Sequence, residues 1–319
     1  MSSFLHPLTW SANWIKRDHL VPKDSPCASL SCTKPRTLWQ RIRAHPTGTF
    51  LDDKFYCQPQ CLERALTAQI SRLRTVTQAM QPPNRIPLGL LMVARGKLTH
   101  MQVRAALKTQ RRARCGKIGD WFEKLGFATE HDVTAALALQ WGCPVVSSFD
   151  LAVVDTPGTI PLPILEAFQM LPANYVSATN TLYLAFGERV DHAVLYAIEK
   201  TLGCRTQACV SARKRIARQL ESMRQVSRPR DVEFVTRDLS EMARITSSYV
   251  NRLSPEQVRL SRVGRFIWLR LKTHAAPANL VFNLRSNASH LSPFAPSSTA
   301  ALPNPQQSAS DEAAPSTGQ

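Results

Sequence analysis

Between residues 87 and 140 apolar side chains recur at three- and four-residue steps, broken at fixed intervals by glycine and threonine. Leu88, Leu91 and Met92, with Arg95, fall at helical spacing, and Gly96 then supplies the residue that most readily ends a helix in a left-handed conformation. Thr99 follows as an N-cap with Gln102 in the capping-box position, and Val103, Ala106, Leu107 and Gln110 share one face of a second helix. The same pattern returns thirty positions later, where Ile118 and Phe122 occupy the apolar steps, Gly126 the stop, Thr129 with Asp132 the cap, and Val133, Ala136, Leu137 and Gln140 the second face. The chain therefore predicts a tandem helical hairpin, and a fold that is α+β but rich in helix.

The duplication extends beyond pattern to identity. PLGLLMVARGKLTHMQVRAALKTQ (residues 87 to 110) and KIGDWFEKLGFATEHDVTAALALQ (residues 117 to 140) align without a gap. Gly89/Gly119, Gly96/Gly126, Thr99/Thr129, Val103/Val133, Ala105/Ala135, Ala106/Ala136, Leu107/Leu137 and Gln110/Gln140 are identical. A bundle in which every repeated residue is core explains most of this. Two features ask for more. Gly89 and Gly119 open helices, where bare backbone N–H groups can meet an anion, and Gln110 and Gln140 place polar groups at the ends of apolar faces.

After Ser227-Arg228-Pro229-Arg230 the pattern changes again. A strand at Val232 to Val235 precedes a helix near Leu239 to Leu253, and strands follow at Gln257 to Ser261, Phe266 to Lys272 and Leu280 to Leu284. The unbroken apolar run in Phe266-Ile267-Trp268-Leu269 predicts a strand buried on both faces. Four regions result: a cysteine-rich segment at 1–80, the repeat domain with a small α/β subdomain at 84–225, a small α+β module at 231–285, and a tail at 286–319. Gln81-Pro82-Pro83-Asn84 marks the first boundary. The tail, rich in Ser, Ala, Pro, Asn and Gln, is expected to be disordered.

Charge changes the picture more than composition does. The chain of 319 residues carries a formal net charge of +17, and the excess is clustered. Arg104 to Lys117 holds six basic residues and no acidic one; Cys204 to Arg230 holds eight against Glu221. Such stripes suit nucleic acid, acidic lipid or an acidic protein, and equally a solvated helix face. Aromatic residues, which would stack on unpaired bases, are absent from both stripes. No apolar run reaches the length of a membrane helix, and no signal peptide is legible, so the expectation is a cytoplasmic protein without a membrane span.

Cys27-x4-Cys32 and Cys57-x3-Cys61 bring paired thiols within reach of one tetrahedral ion, and a helix start follows the second pair. The expectation is a zinc-knuckle module with Cys27, Cys32, Cys57 and Cys61 as Zn2+ ligands. Cys115, Cys143, Cys204 and Cys209 show no such pairing. Catalytic motifs are not legible: the Gly116-Lys117 pair lacks the glycine spacing and the hydroxyl residue of a phosphate-binding loop, and His131-Asp132 stands alone.

The tandem motif L-G-x-x-L-x-x-x-G-x-[IL]-T-x-x-x-[LV]-x-x-A-L-x-x-Q resembles the N-terminal, MshEN-type domain of type II secretion and type IV pilus assembly ATPases. Trp141-Gly142-Cys143-Pro144-Val145-Val146, a helix spanning Ile160 to Tyr175, and Thr181 to Gly187 continue the resemblance, which covers about residues 85 to 222. It implies a domain that binds cyclic di-GMP through two such motifs, with the ATPase core of the family missing. The implied ligand contacts are Arg85, Leu88, Gly89, Met92, Leu107, Gln110, Lys117, Ile118, Gly119, Phe122, Leu137 and Gln140. The arginine that opens each motif in the binding branch is replaced by Pro87 and Lys117. A proline has no donor, and a lysine lacks the planar fork that suits phosphate. The sequence therefore reads as a non-enzymatic adaptor or regulator, docking to a protein partner of a secretion or pilus machine, with cyclic di-GMP as the implied ligand. A zinc-containing nucleic-acid-binding regulator is the alternative.

Overall fold

A computed structural model of the chain describes residues 27–32, 48–75, 85–149, 160–225 and 231–284. The expected tail at 286–319, and the linkers at 81–84 and 226–230, lie outside the described residues. In chain order the elements are β1 (Thr49–Leu51), β2 (Lys54–Tyr56), α1 (Pro59–Thr75), α2 (Leu88–Ala94), α3 (His100–Ala113), α4 (Ile118–Lys124) and α5 (Glu130–Trp141). Then come α6 (Leu162–Phe168), β3 (Met170–Val176), β4 (Thr181–Phe186), α7 (His192–Leu202), β5 (Arg205–Val210) and α8 (Arg213–Gln225). The last are β6 (Asp231–Val235), α9 (Leu239–Leu253), β7 (Gln257–Val263), β8 (Phe266–Lys272) and β9 (Ala278–Asn283).

The apolar run of β8 is buried on both faces, as its pattern predicts. Phe266 and Trp268 enter one core, and Ile267, Leu269 and Leu271 enter the other. Only a central strand covered on both sides accommodates that sequence. Strands β7, β8 and β9 form an antiparallel meander, with β6 parallel to β9 at one edge. At the other edge β1 runs parallel to β7 and pairs with β2, giving the order β2-β1-β7-β8-β9-β6.

Within this sheet the described residues 48–75 and 231–284, expected in two separate modules, share one core. Leu51, Leu62, Leu66 and Ile70 pack with Met242, Val250, Val258, Leu260 and Leu269, so α1 and α9 cover the same face. A hairpin of two three-residue strands cannot build a core alone, and the open edge of β7 supplies its partner. Asp52 fastens the joint: its backbone N–H donates to Val258 O at 2.7 Å, and its carboxylate accepts from Leu260 N–H at 3.3 Å. The repeat domain is inserted between α1 and β6.

Within the insertion, β3, β4 and β5 form a second sheet, antiparallel between β3 and β4 and parallel between β4 and β5. Val145 bridges Val210 in parallel, so the Trp141 to Val146 segment adds to the β5 edge. The helix expected over Ile160 to Tyr175 is shorter. Gln169 adopts φ of 46° and ends it, and Leu171-Pro172 belong to β3. Helix α7 lies against the other face of the six-stranded sheet. There Thr201 and Ser261 hydroxyls meet at 2.6 Å in a buried contact, and Lys200 Nζ donates to Leu260 O at 3.1 Å.

Candidate functional site

Both repeats are built by local chemistry. Gln102 N–H donates to Thr99 Oγ1 while Thr99 N–H donates to Gln102 Oε1; Thr129 and Asp132 repeat the exchange in α5. Gly96 and Gly126 take φ of 67° and 68°, the left-handed region that ends α2 and α4. Lys97 reaches across to Asp132 at 2.8 Å, linking the two hairpins, and together with Thr129 it holds the Asp132 carboxyl well below the usual carboxylate range.

Leu88, Met92 and Phe122 are buried in the core between the repeats, joined by Ile118, Val103, Val133 and Leu137. Gly89 and Gly119 sit where the helices touch. A Cβ on Gly89 would lie 2.9 Å from Val103 Cγ1, and one on Gly119 equally 2.9 Å from Val133 Cγ1. In this packing the glycines are there because backbone meets side chain. Helices α2 and α4 have seven residues each.

The two glutamines have a reciprocal role. Gln110 Nε2, at the end of the first repeat, donates to Gly116 O, two residues before Ile118 opens the second, at 3.0 Å. Gln140 Nε2, at the end of the second, donates to Ile86 O, two residues before Leu88 opens the first, at 2.7 Å. Each repeat thus clamps the entry of the other. Sequence shows the identity of these residues but not their acceptors, since the bond from Gln140 closes a 54-residue loop.

The cations implied as ligand contacts are engaged within the chain. The Arg85 guanidinium stacks on the Trp141 ring at 3.5 Å from its centroid and donates to Gln140 O at 2.6 Å, at the end of α5. Lys117 forms an ion pair with Glu188, in the loop between β4 and α7. Burial, with Arg213 and Arg189 nearby, pulls the Lys117 ammonium below its ordinary value while Asp120 opposes the shift. Sequence reasoning missed this acidic group. Asp120, Glu123, Glu130 and Glu188 are scattered in the chain, and only the fold gathers them beside α8.

That gathering separates the two basic stripes. Arg213 reaches Asp120 at 2.6 Å and Glu188 at 3.2 Å, Lys214 reaches Glu123 at 3.2 Å, and Arg224 reaches Glu166 at 2.5 Å. Three of the five basic residues of α8 are thus paired within the fold. On α3, by contrast, Arg104, Lys108, Arg111 and Arg112 have no ion-pair or hydrogen-bond partner among the described residues. With Leu107 as the apolar element they form one open face of α3.

The four cysteines singled out by spacing also converge. The sulfurs of Cys27, Cys32, Cys57 and Cys61 lie within 4.8 Å of one another, with Cys32 and Cys57 Sγ 3.5 Å apart. The 27–32 turn is held to the hairpin by Ala28 N–H donating to Phe55 O at 2.8 Å. Cys57 follows β2, and Cys61, buried, lies in the first turn of α1. Burial and the neighbouring thiols of Cys32 and Cys27 push the Cys57 thiol up to about 12. Four soft donors at these distances suit one tetrahedral cation. Cys204 and Cys209 are buried elsewhere, Cys115 is exposed and Cys143 half-buried.

No model of a known protein family matches the chain, and no curated protein does. Among solved structures, the chain is similar to MshE with bound cdg, at 22% identity and a TM-score of 0.36, over 43% of this chain and 99% of that one. It is also similar to the N-terminal domain of XpsE, at 20% identity and a TM-score of 0.32, over 42% of this chain and 91% of that one.

Proposed function

We propose that the protein is a non-catalytic adaptor, related to the N-terminal domain of type II secretion and type IV pilus ATPases, that docks an acidic protein surface on the basic face of α3. The observation that carries this reading is the contrast between the stripes: on α8 Arg213, Lys214 and Arg224 are held in ion pairs within the fold, whereas Arg104, Lys108, Arg111 and Arg112 of α3 remain open beside Leu107. Unpaired cations around an apolar residue favour an acidic protein partner, because charge steers the encounter and the apolar contact lengthens its life.

The repeat is the scaffold that presents this face. Gln110, Gln140 and Arg85 hold the hairpins together, and Lys117 ties them to the β4–α7 loop. A cyclic dinucleotide reaching the same residues would have to displace those contacts. The tetracysteine cluster enters as structure, not as chemistry.

The test is site-specific photocrosslinking in cells from position 108 or 111 of the full chain. The expected result is an adduct with a component of a secretion or pilus machine, lost on Arg104→Glu with Arg112→Glu. Adducts with nucleic acid, and an affinity for DNA or RNA that falls steeply with salt, would replace the reading with a nucleic-acid-binding one. Titration with cyclic di-GMP supplies the other control. Micromolar binding abolished by Lys117→Ala with Gln140→Ala would make the protein a nucleotide sensor.

A further inference from the structure

The cysteine cluster lies where residues 48–75 join the sheet and core of residues 231–284. We propose that Cys27, Cys32, Cys57 and Cys61 bind one zinc ion, and that this ion pins the 27–32 turn to the hairpin and to α1, completing the domain around which the repeat is inserted. The proposal goes beyond the docking reading and stands or falls separately from it.

Geometry suits a single tetrahedral ion. Four thiolates at Zn–S distances of about 2.3 Å stand at tetrahedron edges of about 3.8 Å. The sulfurs span from 3.5 Å, between Cys32 and Cys57, to no more than 4.8 Å, so side-chain adjustments of about 1 Å or less complete a tetrahedron. A cluster of several irons bridged by sulfide needs more room than these sulfurs enclose. Disulfides would draw the thiols into two pairs, whereas all four converge. The site is also closed, since four protein sulfurs leave no position for water or substrate, which marks a structural rather than a catalytic centre.

The surroundings suit the charge. On binding, four S–H bonds break, four S–Zn bonds form, and the protons leave to solvent, leaving a site of net charge −2. Cys61 lies in the first turn of α1, a 17-residue helix with no acidic residue in that turn, so its N-terminal dipole faces the thiolates. Arg64, which donates to Ser31 Oγ at 2.6 Å, brings a cation to the same turn.

The position explains why a metal is needed. Strands β1 and β2 are three residues each, and the 27–32 turn contributes Leu30 fully exposed. What burial leaves weak, a cross-link can hold, and zinc does so without an oxidising environment. Three of the cysteines pack on the core shared by α1 and α9, so the ion rests against the joint between residues 48–75 and 231–284.

The experiment measures metal in the full chain purified without chelator. One zinc per chain is expected, released in step with titration by a mercurial that caps thiols. Replacement by Co2+ should give the charge-transfer and visible bands of tetrahedral thiolate coordination. Cys57→Ser and Cys61→Ser should lose the metal, while Cys115→Ser and Cys143→Ser keep it. Should the first pair fail to accumulate as folded protein, the wild-type release titration decides alone. In hydrogen exchange, zinc removal should strip protection from residues 48–75 and leave α4 and α5 protected. Protein free of metal that gains no Co2+ bands, a Cys32–Cys57 disulfide under non-reducing mass spectrometry, or a coloured protein holding iron would each overturn the assignment.

Discussion

Replacing Gly119 by alanine distinguishes packing from ligand approach as the reason for the repeated glycine. The added Cβ would stand 2.9 Å from Val133 Cγ1 and 3.6 Å from Leu88 Cδ2. Valine in a helix has one strongly preferred rotamer, so Val133 cannot swing aside, and α4 must move from α5 by several tenths of an ångström. Overpacking of this kind costs about 1–3 kcal/mol, and alanine returns at most about 1 kcal/mol through helix propensity. The net expectation is a loss of about 1–2 kcal/mol. Val133→Ala alone should cost about 1–2 kcal/mol through lost methyl burial. In the double variant the new methyl fills the space the old ones leave, so the two costs should fail to add by about 1 kcal/mol. Hydrogen exchange on the full chain, read in peptides of α4 and α5, isolates the effect from the rest of the molecule. A Gly119→Ala protein as protected as wild type, or strictly additive costs, would refute the packing argument. Unchanged stability with lost cyclic di-GMP binding would assign the glycine to ligand approach instead.

Two further outcomes test the joints of the fold. Because Lys97 and Thr129 hold the folded pKa of Asp132 below its unfolded value, its contribution is present above about pH 4 and lost as pH falls toward the folded value. Asp132→Asn should therefore lower stability by about 0.5–1 kcal/mol at neutral pH, with the gap closing toward pH 2 in melting curves; a constant gap would remove the ion pair from the account. Thr201→Val leaves the buried Ser261 hydroxyl without its 2.6 Å partner and should cost about 1–2 kcal/mol in urea denaturation, whereas adding Ser261→Ala should recover most of that loss. A double variant as unstable as the single one would show that shape, not the hydrogen bond, holds α7 to β7.

Much of the fold was legible because its signals are short-range. Thr99 and Thr129 cap helices through residues three positions away, and Gly96 and Gly126 stop them through their own backbone. The unbroken apolar run from Phe266 to Leu269 announced a strand covered on both sides, and β8 is one. Helix α6 was overextended because the resemblance carried it through Leu171-Pro172, which pairing with β4 claims for β3. Of the candidate site, the sequence named residues but could not show what they engage within the chain, and it left out the acidic partners. Lys117 reads as a free cation in sequence and meets Glu188 only after β4 and α7 place that loop beside α4.

By itself the sequence determined the duplicated hairpin, its caps and stops, the strands of the C-terminal third and the pairing of four cysteines by spacing. All of these arise from interactions within a few residues, where periodicity and side-chain chemistry suffice. Tertiary structure alone decided that β1 joins β7 across the inserted repeat, that Gly89 and Gly119 meet valines, that each glutamine clamps the other repeat, and that Arg213, Lys214 and Arg224 of α8 find acidic partners while the cations of α3 stay open. The physical reason is that an open strand edge, a close helix contact and an ion pair depend on which distant segment arrives. No local pattern encodes that arrival; burial of the shared cores selects it.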